Sequence, residues 1–220
     1  MLSRLANHLV PAVGRLTLTA DDGADLPPAG IVAANHTSLA DPGVVLAALR
    51  RLGARPVIMA TAGLWRVPLL GRALTREGHI PVHRGGPRAS QALDLAQEAL
   101  EQGRHILIYA EGCLPDRRDA AEAAPGAFRS GLARLAQRTG APVIPLGQAG
   151  ARRVTSGSAV KQLAGLATAP VRRPRLHIHV GSPIRFDTDG TEFTGRAHLA
   201  VTAAWRTAAT HLGEPAALAT

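Results

Sequence analysis

The organisation of this chain is clearest in residues 30–42, GIVAANHTSLADP. The apolar run at its start is typical of a buried strand, and the polar residues after it place His36 five positions before Asp41. That spacing fits neither one face of a helix nor one face of a strand, so the side chains meet only if the chain turns between them. Asp41 is a good helix N-cap and Pro42 suits the first helical position, which would supply the turn.

Two interpretations of His36 and Asp41 follow from this spacing. A carboxylate beside an imidazole can fix its tautomer and raise its basicity, as a general base requires. The simpler interpretation makes Asp41 a capping residue and His36 a polar loop residue. Motifs further along the chain favour the first interpretation.

Strand and helix signals alternate along the whole chain. They predict strands over 15–19, 30–34, 55–60, 79–83, 105–109, 142–146 and 176–180, helices over 42–52, 89–102, 128–137 and 192–212, a kinked or short helix within 64–74 that is broken by Pro68, and a flexible Gly/Ser segment after 146. This alternation predicts an α/β fold, with a mixed, mainly parallel central sheet and helices on both faces. Sites in such folds gather at the carboxyl ends of strands, and His36, Arg84 and Glu111 each follow a predicted strand.

Apolar residues at helical spacing predict a short amphipathic helix within residues 1–14. Two placements of this helix are open, at a membrane interface or against the core of the domain itself. The sequence has no run of about 18 or more uncharged apolar residues, which argues against a transmembrane helix.

Composition limits the kind of protein and its partners. With 220 residues, 46% of them hydrophobic, the chain suits a single domain over 1–220. The formal charge of +9 favours anionic partners: phosphates, an acidic carrier protein or a membrane surface. Aromatic residues make up only 3%, so we expect no nucleic-acid partner, which would need stacking platforms. The single cysteine is consistent with the reducing cytoplasm.

Four short sequence blocks occur in order between residues 30 and 150. They are HTSLAD at 36–41, GHIPVHR at 78–84, EGCLP at 111–115 and APVIP at 141–145. With these blocks the chain resembles the bacterial acyltransferases of phospholipid synthesis, the glycerol-phosphate and 1-acylglycerol-3-phosphate acyltransferases. Each block is a weak signal alone, whereas four in order at these separations are a strong one.

The resemblance implies transfer of a fatty acyl group from a thioester to a hydroxyl, with no covalent acyl-enzyme. His36 would take the proton from the acceptor hydroxyl, and Asp41 would orient the imidazole. Arg84 would hold the phosphate of a lysophospholipid such as 1-acylglycerol-3-phosphate. Glu111 and Gly112 would shape the acceptor pocket, and backbone amides near Gly112 would stabilise the oxyanion.

The resemblance also implies the donor and the location of the protein. The donor would be acyl-CoA or acyl-carrier protein, a co-substrate, and we expect no further cofactor. Pro145 would end a strand near the donor site. We expect the protein to lie in the cytoplasm, peripheral at the inner face of the cell membrane.

The third block departs from the family pattern, which reads EGTRS. Cys113, Leu114 and Pro115 stand where that pattern has threonine, arginine and serine. Leucine offers no donor to a phosphate, so another arginine would have to compensate, with Arg117, Arg118 and Arg129 as the candidates.

Two further interpretations therefore stay open. The acyl chemistry could act on a non-phosphorylated hydroxyl or an amine, of another lipid or a secondary metabolite. Alternatively, the fold could be a noncatalytic module that binds lipid or carrier protein, and such a module would show no thioester turnover.

Other reactive side chains have simpler interpretations. Cys113 could serve as a thiol nucleophile beside His36, but a small residue in a tight loop explains it better. Two histidine pairs lack the carboxylates or cysteines that a zinc site needs, so we expect no metal; they are His79 with His83 and His177 with His179.

Overall fold

A mixed sheet of seven strands forms the centre of the protein in the computed structural model, which describes residues 2–54, 56–83, 90–115, 119 and 121–214. Its strands are β1 Arg15–Ala20, β2 Gly30–Ala34, β3 Pro56–Thr61, β4 Ile80–Val82, β5 His105–Tyr109, β6 Val143–Ala149 and β7 Arg175–Val180. The helices are α1 Leu2–Val13, α2 Asp41–Arg51, α3 Leu70–Arg76, α4 Gln91–Glu101, α5 Gly131–Thr139, α6 Ala159–Arg172 and α7 Gly190–Leu212, with 3₁₀ turns at Ala62–Arg66 and Ala151–Arg153.

The strand order places the loop with His36 at the middle of the sheet. The order is β1-β7-β6-β2-β5-β3-β4, in which β6 to β4 run parallel, β7 is antiparallel to β6, and β1 is parallel to β7. The predicted mixed, mainly parallel sheet is confirmed. Ala34, the last residue of β2, pairs with Tyr109 at the end of β5. The loops after β2 and β5 therefore begin side by side at one edge of the sheet.

Alternating side chains of β2 divide the core into two layers. Val32 and Ala34 pack in a cluster with α2, whereas Ile31 and Ala33 pack in a second cluster with α4, α5 and α7. Every residue of β2 is buried, which explains why this strand carries no polar side chain. Helices cover both faces of the sheet, as the alternating pattern predicts.

The N-terminal helix α1 is present and packs on the body of the protein. Val10 is buried, and Ala6 and Val13 contact the core cluster that contains α2. Of the two placements that the sequence leaves open, these residues show packing against the core. Within the described ranges, the helices are all too short or too polar to cross a bilayer.

The edge strand β1 is held to β7 by side chains as well as by the backbone. Thr17 Oγ1 lies 2.7 Å from His177 Nδ1, and Thr19 Oγ1 lies 2.9 Å from both His177 Nε2 and His179 Nδ1. His177 is fully buried and stacks on His211, and this burial lowers the pKa of His177 to about 4. The paired histidines at 177 and 179 thus join two strands.

Three predictions about local structure are wrong. The segment after residue 146 continues β6 to Ala149 and then forms α6, where a flexible segment is predicted. The helix expected from residue 128 begins at Gly131. Pro145 does not end a strand, because it lies inside β6 opposite Ala33. Proline has no backbone N–H to donate, but β6 and β7 begin to pair one residue later, at Leu146. No residue of β7 therefore loses a hydrogen bond because of Pro145.

Candidate active site

The turn after β2 brings the predicted His36–Asp41 pair into contact. His36 Nδ1 donates to Asp41 Oδ2 at 2.9 Å, and the Asp41 side chain is completely buried. The same oxygen accepts the backbone amides of Thr37 at 2.5 Å and of Ser38 at 2.8 Å. One carboxylate oxygen therefore fixes both the imidazole and the loop that carries it.

Asp41 is not a helix cap. Helix α2 begins at Asp41 itself, the N-cap position is Ala40, and no side chain caps the helix. The carboxylate folds back over its own loop because three donors converge there, whereas the capping interpretation requires it to accept amides of the first helical turn. Pro42 follows within that first turn. The geometry therefore contradicts the purely capping interpretation.

The ring of Tyr109, the last residue of β5, stacks against the His36 ring. The two rings stack with their centroids 4.2 Å apart and an interplanar angle of 25°. Because Nδ1 donates to Asp41, the other ring nitrogen, Nε2, is left as the basic one, and 17% of the His36 side chain is exposed. Burial, together with the Asp41 charge, raises the pKa of Tyr109 well above its usual range, so the supporting ring stays neutral.

Glu111 joins the loop after β2 to the segment before α5. Its Oε1 accepts the backbone amide of His36 at 2.7 Å, and its Oε2 accepts that of Gly126 at 2.7 Å. Burial raises the pKa of the Glu111 carboxyl, although both amides oppose this by favouring the ionised form. Glu111, the predicted acceptor-pocket residue, thus lies next to His36, but both of its carboxylate oxygens bind backbone amides.

Gly112 gives the loop after β5 its backbone shape. Its φ is +75°, in the left-handed region, and an added Cβ would lie 2.8 Å from Arg129 Nε. Its amide donates to the Tyr109 carbonyl at 3.0 Å, so this amide is already used. The next amides in the chain, those of Cys113 and Leu114, are then the oxyanion candidates in this loop.

Arg129 and Cys113 lie beside the same turn. Arg129 Nε donates to the Glu111 carbonyl at 3.3 Å, and its backbone amide donates to the Ala110 carbonyl at 2.9 Å. Arg129 therefore supports the backbone of the third block. Cys113 is exposed, and its Sγ lies 3.9 Å from the Glu111 carbonyl oxygen.

Three predicted phosphate-binding residues fall outside the described part of the chain. They are Arg84, which is the arginine of the second block, and the compensating candidates Arg117 and Arg118. Their roles stay predictions.

A cleft of about 570 Å³ opens beside the His36 loop. One wall is Thr37–Leu39, a second is Leu114 and Pro115 of the third block, and a third is formed by Arg152 and residues within 155–162 at the start of α6. The structure thus brings the first and third blocks to one cavity. It also adds a wall from a segment that the sequence predicts to be flexible.

Three supporting residues of the site are absent from the sequence prediction. Arg152, although buried, donates to the carbonyls of Thr37 at 2.9 Å and of Asp119 at 2.5 Å. Thr155 Oγ1 lies 2.5 Å from Ser38 Oγ. At the end of β2, Asn35 exchanges hydrogen bonds with the backbone of Gln148. Of these, Asn35 alone had a signal, its place directly after a buried strand.

One histidine of each predicted pair has a structural partner. His79 Nδ1 accepts the backbone amide of Ile58 at 3.1 Å, and His179 Nε2 lies 3.0 Å from Asp21 Oδ1. Within the described ranges, no three side chains of His, Cys, Asp or Glu are grouped so that they could hold a metal ion.

Comparison with known proteins relates this site to a family. The family described as Acyltransferase matches residues 20–148, more than half of the chain. That range contains the loops after β2 and β5 and nearly all of β6.

The similar curated proteins are plant enzymes. They are the chloroplastic 1-acyl-sn-glycerol-3-phosphate acyltransferases BAT2 of Brassica napus and LPAT1 of Arabidopsis thaliana, each 26% identical over 117 residues, or 53% of this chain. The match spans 31% and 30% of their own lengths, so less than a third of each relative is represented.

The fold also has a counterpart among solved structures. The 1-acyl-sn-glycerophosphate (LPA) acyltransferase PlsC of Thermotoga maritima is similar with a TM-score of 0.69, over 96% of this chain and 78% of that protein. At 16% identity, this similarity establishes a shared fold.

Proposed function

This chain belongs to the acyltransferase family, and from that premise we propose that it moves a fatty acyl group from an acyl-CoA or acyl-carrier-protein thioester to a hydroxyl of a lysophospholipid such as 1-acylglycerol-3-phosphate. The single observation that carries the proposal is the His36–Asp41 contact of 2.9 Å beside an open cleft. The names of the plant relatives support the choice of acceptor.

The proposed reaction is direct transfer with His36 as general base. His36 Nε2 removes the hydroxyl proton as the hydroxyl oxygen forms a bond to the thioester carbonyl carbon. The tetrahedral intermediate then collapses, the C–S bond breaks, and the proton on His36 passes to the leaving thiolate. The products are an ester and a free thiol, and no protein residue is acylated. Asp41 contributes by holding the tautomer with Nδ1 protonated.

Backbone amides would stabilise the charge that develops on the carbonyl oxygen. In the loop after β5, the Gly112 amide already donates to the Tyr109 carbonyl. We therefore assign this role to the amides of Cys113 and Leu114. One such donor is typically worth about 3–4 kcal/mol of transition-state stabilisation.

A second candidate function keeps the acyl transfer but uses a different acceptor. Leu114 lines the cleft at the position where the resemblance implies an arginine, which favours a non-phosphorylated hydroxyl or an amine. Under the first proposal, Arg84 binds the phosphate, and Arg84→Ala raises the acceptor KM about 10- to 100-fold because a charge-assisted contact is lost. If Arg84→Ala affects phosphorylated and neutral acceptors equally, the second candidate replaces the first.

The decisive experiment is turnover with identified products. The protein is incubated with acyl-CoA or acyl-carrier protein and a panel of phosphorylated and neutral acceptors, and the products are identified by mass spectrometry. We expect an acylated lysophospholipid and free thiol with the parent protein and neither with His36→Ala. Absence of turnover with every donor and acceptor pair would favour the noncatalytic lipid- or carrier-binding module.

The proposed location is the cytoplasm, at the inner face of the cell membrane. A lysophospholipid acceptor lies in the membrane, and the formal charge of +9 favours its anionic surface.

A further inference from the structure

Helix α6 is built with its apolar residues on the outside. Gln162, Gly165 and Ala169 face the protein, and Ala169 is its one buried residue. The opposite side presents large aliphatic residues three and eight positions apart, with exposures of 75% for Val160, 69% for Leu163 and 89% for Val171. A surface helix normally turns such a stripe toward the core.

The helix is nevertheless firmly attached to the body. A Cβ added at Gly165 would lie 2.4 Å from the Val154 carbonyl oxygen, so the α6 backbone lies directly against the preceding turn. At the end of the helix, Arg172 donates to the carbonyl of Arg153 at 3.0 Å, and Arg173 donates to that of Pro11 at 3.2 Å. The outward apolar stripe is therefore a fixed feature of the surface.

Positive charge accompanies the stripe. Lys161, the single lysine of the chain, and Arg172 recur along one flank of α6, and Arg173 follows at its end. No acidic residue occurs between residues 123 and 186, a segment with ten basic ones. Exposed aliphatic residues flanked by cations match the chemistry of an anionic lipid surface.

The amino-terminal end of the stripe lies next to the cleft. The N-cap residue Ser158 and the first turn of α6, with Lys161 and Gln162, contribute to the wall that faces the His36 loop. Leu39 lies in that loop, lines the same cleft and is 63% exposed, which extends the apolar surface toward the base.

We propose that the outer face of α6 is a docking surface for an anionic lipid bilayer, with the helix lying in the plane of the interface. From Val160 to Val171 the stripe is about 16 Å long at 1.5 Å per residue. Its aliphatic side chains enter the headgroup boundary, while the Lys161 side chain extends to the phosphates. The Arg172 guanidinium donates to Thr168, Arg153 and Gly165, so it stays on the protein and adds positive charge beside the stripe. The benefit to catalysis rests on the proposed function: docking brings the cleft to the layer that contains a lysolipid acceptor.

Binding is tested with the full chain and vesicles of phosphatidylcholine with or without phosphatidylglycerol, by co-sedimentation. Leu163→Asp is expected to lower the partition coefficient on anionic vesicles roughly tenfold or more, since it places a charge where an aliphatic chain enters. The matched control is Leu199→Asp on α7, because Leu199 has the same exposure of 69%. It should bind like the parent, and added salt should weaken parent binding. Val171→Asp repeats the test at the far end of the stripe.

Three results would overturn the proposal. The first is equal vesicle binding by Leu163→Asp and Leu199→Asp, with both folded by circular dichroism. The second is a parent dimer in light scattering that Leu163→Asp dissociates, which would make the face an interface between copies. The third is vesicle-free binding of acyl-carrier protein that Leu163→Asp abolishes.

Turnover separates this proposal from the proposed function. Leu163→Asp should keep parent activity on a short-chain, freely soluble lysolipid and lose activity on the same headgroup embedded in vesicles. If the parent acylates neither acceptor, the proposed function fails, whereas the vesicle-binding result still decides the docking surface.

Discussion

The loops after β2 and β5 begin side by side, yet they are built on different principles. In the first, three donors converge on one oxygen of buried Asp41, and two of them are backbone amides. In the second, the backbone turns at Gly112, and Cys113 makes one long contact of 3.9 Å from an exposed position.

Under the proposed function, the loop after β2 carries the residues that react, and the loop after β5 contributes to substrate recognition. A general base needs a fixed tautomer and direction, so under the proposed function the loop that carries His36 has little freedom to change. The second loop supplies a backbone turn and a wall of the cleft. Glu111 in this loop binds the His36 amide, whereas the side chains at 113–115 can be exchanged without moving His36. The resemblance to the phospholipid-synthesis family is complete in the first loop and breaks at residues 113–115 in the second.

The largest effect is expected from removing the base. His36→Ala should lower kcat by about 10²–10⁴-fold, the usual contribution of a general base. The fold should survive, because the ring lies on Tyr109 at the surface of the site. Steady-state kinetics at saturating acceptor, with circular dichroism as the folding control, measure this. Near-parent turnover would remove His36 from the mechanism.

The next effect is expected from Asp41→Asn. The amide side chain keeps the shape but loses the charge that holds the imidazole and two backbone amides, so kcat should fall about 10- to 10³-fold. The free energy of unfolding should also fall by about 1–3 kcal/mol, since hydrogen bonds to a charged group are lost. Full activity with only a lower Tm would mean that Asp41 is purely structural.

A smaller effect on turnover is expected from Glu111→Gln, which breaks the link between the two loops. The side-chain NH₂ would face a backbone donor, either that of His36 or that of Gly126, at a cost of about 1–3 kcal/mol in unfolding free energy. Turnover should fall less than in Asp41→Asn.

The matched control is Glu122→Gln. Glu122 is another buried carboxylate that binds a backbone amide, that of Gly150 at 2.8 Å. Glu122→Gln should lower the free energy of unfolding without lowering kcat. Equal kcat in the two variants would show that Glu111 does not position the base.

The smallest effect is expected from Cys113→Thr in the second loop. Direct transfer uses no thiol, and threonine is the residue of the family pattern, so kcat should be unchanged or higher. Intact-protein mass spectrometry of the parent with acyl-CoA should show no acyl adduct. Loss of turnover in the variant together with an adduct on Cys113 would instead establish a thiol intermediate.

Much of this arrangement could be predicted because local patterns determine it. The run 30–34 has no polar residue, so β2 had to be buried, and the strand over 105–109 was located to the residue. The meeting of His36 and Asp41 followed from the turn that their spacing requires. The placement of both loops at one edge of the sheet followed from the rule for parallel sheets, whereas their side-by-side position depends on the strand order, which was not predicted.

The parts that could not be predicted depend on contacts between distant segments. The sequence predicts Asp41 to be a helix cap, whereas in the structure its carboxylate accepts the Thr37 and Ser38 amides of its own loop. Arg152 supports the site through a carbonyl 115 positions away, which no local pattern encodes. Helix α6 was missed because Gly165 and Pro170 lie inside it and Gly157 and Ser158 precede it, and such residues are typical of a loop.

The pairing of β1 with β7 has a consequence for the order in which the chain is made. Thr17 and its partner His177 are 160 positions apart, so β1 leaves the ribosome long before β7 exists. At about 5–20 residues per second, the wait is on the order of 8–32 s. During synthesis, the parallel core from β6 to β4 can assemble first, and β1 joins last, after the largest loop closure in the sheet. We therefore expect the amino-terminal strand to be the last part to fold and the first to open.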